Sequence, residues 1–112
     1  MDEDFEPHLQ ELRRGTVVLA CLRLLLTPGY GYGLLQDLET AGFDTEANTL
    51  YPLLRRLEKQ GYLTSHWDTA ESRPRKFYQT SEAGRRLTDA MQHHWDELSR
   101  AIADLPDDPP HA

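Results

Sequence analysis

At 112 residues the chain has room for one modest domain, because a chain of this size buries enough apolar surface for a single core. Its formal net charge of −7, from 12 Lys and Arg against 19 Asp and Glu, speaks against nucleic acid if read as one number, and its single cysteine excludes an intramolecular disulfide and points to a reducing compartment. The start is acidic (Asp2, Glu3, Asp4, Glu6) and no apolar run approaches the roughly 20 residues of a membrane span, so the expected setting is the cytoplasm, with no membrane partner.

The distribution of charge says more than its sum. Acidic residues crowd Asp2 to Glu11 and Asp89 to Asp108, whereas Arg55, Arg56 and Lys59, then Arg73, Arg75 and Lys76, form a basic middle. Such a chain can present a local positive face to DNA while its flanks are repelled from it. A merely acidic domain is the plainer alternative.

From Leu9 to Leu26 apolar residues are too dense for a one-faced helix, which predicts a helix covered on several sides, with Cys21 as a small buried hydrophobe. The cluster Thr27-Pro28-Gly29-Tyr30-Gly31 reads as a stop and turn, and Gly33 to Glu39 as a short second helix ending at Ala41-Gly42. Thr45 or Asn48 is suited to cap a third helix, with Leu50, Leu53, Leu54 and Leu57 on one side and Gly61 at its end. That leaves Asn48, Thr49, Arg55, Arg56 and Lys59 for a partner or for plain solvation, with Tyr51 equally suited to core or surface. Pro52 is tolerable near the first turn.

Tyr62 to Trp67 and Arg75 to Thr80, rich in β-branched and aromatic residues, read as a hairpin whose polar connection carries Arg73. Ser81 and Glu82 then open a long helix to about Leu105, with the stripe Leu87, Met91, Trp95, Leu98, Ile102, Leu105 stepping by four and three. A helix of about 35 Å outruns so small a core and calls for a second chain. Pro106, Pro109 and Pro110 among aspartates suggest a frayed tail.

The expected fold is therefore mainly α with a small β-hairpin wing: a winged helix-turn-helix over 1–80 with residues 1–8 flexible, a dimerisation helix over 81–105, and a disordered tail over 106–112. In that fold the third helix enters the major groove and the wing reaches the neighbouring backbone or minor groove. Two such helices in a dimer predict a palindromic site on double-stranded DNA.

The run from Thr49 to Gly61, TLYPLLRRLEKQG, resembles the recognition-helix signature of the PadR family almost letter for letter. Arg14-Gly15-Thr16, Gly31-Tyr32-Gly33, Pro74-Arg75-Lys76-Phe77-Tyr78 and Ser81-Glu82-Ala83-Gly84-Arg85 match it too, so the likeness runs from about Leu12 to the last helix. The resemblance implies a homodimeric transcriptional regulator, usually a repressor, with one C-terminal dimerisation helix, and carries DNA-facing roles onto Thr16, Asn48, Thr49, Tyr51, Arg75 and Lys76, beside Arg55 and Arg73 from the residues themselves. Two positions depart from the pattern: Tyr30 stands where many members have histidine, expected to alter a turn contact, and Thr80 replaces a leucine, expected to loosen the wing's seating.

Dimerisation falls to Leu87, Met91, Trp95, Leu98 and Ile102. Met91 and Trp95 are also the candidate walls of a site for a small aromatic effector, against the simpler reading of Trp95 as packing in the dimer seam. His93 and His94 point to different faces and lack partners for a metal site, and no catalytic constellation or cofactor motif occurs, so neither enzyme nor metalloprotein is expected. The competing readings are a winged-helix protein-interaction module using its acidic surface and a dimer that sequesters aromatic ligands.

Overall fold

The computed structural model describes residues 3–70 and 72–107. In chain order it has α1 (Glu6–Leu24), β1 (Gly29–Tyr30), α2 (Gly31–Thr40), α3 (Ala47–Lys59), β2 (Leu63–Asp68), β3 (Arg75–Thr80) and α4 (Glu82–Ala103). The last five residues of the expected tail lie outside the described residues. Helix α1 begins inside the stretch expected to be flexible: Pro7 sits in its first turn, where a missing N–H costs nothing, and Glu6 adds an anion to that turn.

The hairpin is part of a three-stranded antiparallel sheet in the order β1-β3-β2. Strand β1 was hidden in the turn cluster; it is only two residues long, pairing Gly29 with Tyr78 and Tyr30 with Phe77. On the other side β2 and β3 pair from Leu63 opposite Thr80 to Asp68 opposite Arg75. The third helix is entered through Glu46, which makes no side-chain cap, rather than through Thr45 or Asn48. Its end follows the expected chemistry: Gly61 takes a positive φ of 87°, while Gly61 N–H bonds Glu58 and Tyr62 N–H reaches back to Leu57 at 2.9 Å, satisfying carbonyls that the helix leaves open.

The core lies where α1, α2, α3 and the sheet meet, with Leu22, Leu25, Leu38, Leu50, Leu54 and Leu63 fully buried. Cys21 is among them, and burial pushes its thiol up to about 12, so it stays protonated and acts as a small apolar side chain. Thr80 does not loosen the wing. Its backbone N–H donates to Leu25 O and its hydroxyl to Leu22 O, both at 2.8 Å, which fastens β3 to the end of α1.

Next in the chain, Ser81 accepts from Gly84 N–H at 3.0 Å and donates to Gly61 O at 2.6 Å, capping α4 and tying it to the end of α3. Gly84 is required there because a β-carbon would overlap the Tyr62 carbonyl. These joints orient α3, the hairpin and α4 as one piece. Among the described residues no helix is long and apolar enough to cross a membrane.

Candidate nucleic-acid interface

Helix α3 separates its two sides cleanly. Leu50, Leu53, Leu54 and Leu57 are buried, while Asn48, Thr49, Arg55, Arg56 and Lys59 are exposed on the remaining surface. The inner side holds the helix to the core, so the outer polar groups are presented on a rigid element. Tyr51 resolves between its two readings as half-buried, its ring lying against Gly31 so closely that a β-carbon there would overlap it. Gly31 opens α2, so this contact sets how the two helices of the helix-turn-helix meet.

Side chains alternate across the sheet, and the wing therefore has two different faces. On the face toward α3, Ser65 donates its hydroxyl to the Glu58 carboxylate, and Lys76 Nζ stands 3.3 Å from the other carboxylate oxygen. The Ser65 hydrogen bond, joined by Lys76 and opposed by burial, holds the Glu58 carboxyl below its ordinary 4.5. Burial acts to lower the Lys76 ammonium, but its bond to the Glu58 carboxylate and its electrostatic contact with Tyr78 outweigh that and raise it; the ammonium also stands 5.2 Å from the Tyr78 ring. Lys76 is thus committed to a brace between α3 and the wing, a role that chain order alone could not reveal.

On the opposite face Phe77 stacks on His66 with ring centroids 5.6 Å apart and meets Tyr30 edge-on at 5.5 Å. Arg75 lies over the Tyr30 ring at 5.0 Å, so the tyrosine that departs from the family pattern seats a wing cation. Arg73 is exposed in the connection between the strands. The structure therefore brings Asn48, Thr49 and Arg55 together on α3 and Arg73 and Arg75 near the wing tip.

Thr16 lies elsewhere. It is half-buried on α1 with its hydroxyl donated back to Arg13 O at 2.6 Å, and it lines a hollow of about 530 Å³ between α1, the end of α2 and α4. Leu12, Leu19, Ala20 and Phe43 make its apolar walls, Trp95 closes one side, and Arg23 donates to Gln92 across its edge at 2.8 Å. Met91 is half-buried against the core and does not line this hollow. Leu87 likewise packs on the core of its own chain, whereas Trp95, Leu98, Ile102 and Leu105 are exposed, as are Phe5, Leu9 and Leu12 on α1. His93 and His94 both reach Glu97, at 3.6 and 3.7 Å, and no group of three or more metal-ligating side chains forms among the described residues.

Comparison with known proteins points to one family. The model of the transcriptional regulator PadR-like family matches residues 18–90. A transcriptional regulator of Mycobacterium tuberculosis is 34% identical over 73 residues, covering 65% of this chain and 68% of the relative. Among solved structures, a PadR family transcriptional regulator from Eggerthella lenta is 44% identical with a TM-score of 0.86, covering 92% of both chains. A Streptococcus transcriptional regulator is 30% identical with a TM-score of 0.75, covering 83% of this chain and 94% of its own.

Proposed function

The chain belongs to the PadR-like family of transcriptional regulators, and on that premise we propose that it acts in the cytoplasm as a homodimeric repressor of a palindromic DNA operator, released by a small aromatic effector. It is a regulator and not an enzyme. The observation that carries the DNA reading is α3, which has one side wholly committed to the core and Asn48, Thr49 and Arg55 exposed on the other. Hydrogen-bonding side chains of this kind can read base edges, and Arg73 and Arg75 at the wing can neutralise the flanking phosphates.

Dimerisation is supported by the exposed apolar residues of α4, Trp95, Leu98 and Ile102, with Leu9 and Leu12 of α1 beside them in composition. Leu87 and Met91 support that surface from within the chain. The effector reading rests on the hollow walled by Trp95, which is large enough for a flat aromatic compound and has Thr16 among its lining residues, while Met91 packs on the core instead. The test is fluorescence anisotropy of the purified protein with a labelled duplex from upstream of its own gene and a scrambled control, over a salt series. Selective binding that weakens as salt rises supports the repressor; no binding to either duplex moves the reading to the protein-interaction module.

A further inference from the structure

Trp67 stands out on the wing because it is 63% exposed, in a chain with two tryptophans. A lone exposed apolar side chain is ordinary, so the weight falls on where this one points. Ser65 and Trp67 lie on one face of β2, and Ser65 reaches Glu58 of α3, so the indole projects on the recognition-helix side of the wing. Its cross-strand partner is Lys76, the cation that Glu58 holds. Trp67 sits one pleat further out, about 7 Å along the strand, between that brace and exposed Arg73 in the connection.

We propose that Trp67 is a DNA contact: its indole packs on a deoxyribose of the sugar–phosphate backbone, and its Nε1–H donates to the adjoining phosphate. The proposal rests on the DNA-binding reading above. Three features favour this occupant. The side chain offers a flat apolar body with one donor, which suits a sugar bounded by an anionic acceptor. Arg73, exposed in the connection just beyond the indole, brings to this end of the wing a charge complementary to phosphate. And Lys76, held between Glu58 and the Tyr78 ring, leaves the outer end of this face to the indole.

The test uses the full chain and mixed-sequence duplex DNA at low salt. With fluorotryptophan incorporated, fluorine NMR gives one resonance for Trp67, assigned by its loss in Trp67→Phe, and one for Trp95; duplex is expected to move the Trp67 resonance. Trp67→Ala is expected to weaken binding roughly tenfold while leaving the salt slope unchanged, because no cation is removed. Arg73→Ala, by contrast, is expected to lower that slope by about one.

Trp67→Phe, which keeps an aromatic body, is expected to retain most of the affinity. DNA binding with a silent Trp67 resonance and an unaffected Trp67→Ala overturns the contact alone, as does a Trp67→Ala salt slope reduced like that of Arg73→Ala. Failure of the wild-type protein to bind duplex at all overturns the DNA-binding reading and this contact with it.

Discussion

Helices α3 and α4 carry apolar stripes of the same three-and-four spacing but with different outcomes: Leu50, Leu53, Leu54 and Leu57 are buried, whereas Trp95, Leu98 and Ile102 are 42% to 65% exposed. Length explains the contrast. Helix α3 has 13 residues, about 20 Å, and stays over the core, while α4 has 22, about 33 Å, and its second half runs beyond what the domain can cover. An amphipathic pattern thus identifies a face that needs burial without saying which chain supplies it.

Matched truncations at the two helices sharpen this contrast. Leu54→Ala removes a fully buried side chain and is expected to cost about 2–5 kcal/mol in denaturant unfolding, at any protein concentration. Leu98→Ala is expected to leave the core intact and weaken self-association by about 1.5 kcal/mol, roughly tenfold, read by sedimentation over a dilution series. A Leu98→Ala protein less stable than Leu54→Ala at every concentration would erase the distinction.

A smaller effect is expected where β3 is fastened to the end of α1. Thr80→Val deletes the hydroxyl that donates to Leu22 O and is expected to lower stability by about 1 kcal/mol in thermal unfolding. The smallest concerns the brace between α3 and the wing. The Glu58 carboxyl is held below 4.5 in the folded protein, so its contribution is present above pH 4.5 and is lost as pH falls through the lowered folded value. The melting-temperature gap between wild type and Glu58→Gln is therefore expected to be flat above pH 4.5 and to close below it. A gap unchanged in acid would show that the carboxylate charge contributes nothing to the brace.

What could be read from sequence follows the range of the interactions involved. The inner side of α3, the span of β3, the Ser81 cap and the glycine after α3 are local signals, and the structure has each of them. Strand β1 escaped because two residues beside Pro28 carry no alternation and exist as a strand only through Tyr78 and Phe77. The Glu58 brace joins residues seven and eighteen positions away, and Thr80 anchors to Leu22 across 58; such partners carry no sequence period. Thr16, assigned to DNA by resemblance, lines the hollow beside Trp95 because α1 turns that side toward α4.

Sedimentation equilibrium of the wild-type protein mixed with a duplex from upstream of its own gene tests most directly the claim that one end of the chain reads DNA while the other recruits a second copy. The account predicts two chains on each bound duplex and a loss of that complex in Leu98→Ala at concentrations where its dimer dissociates. One chain per duplex, bound equally well by wild type and Leu98→Ala, would contradict it.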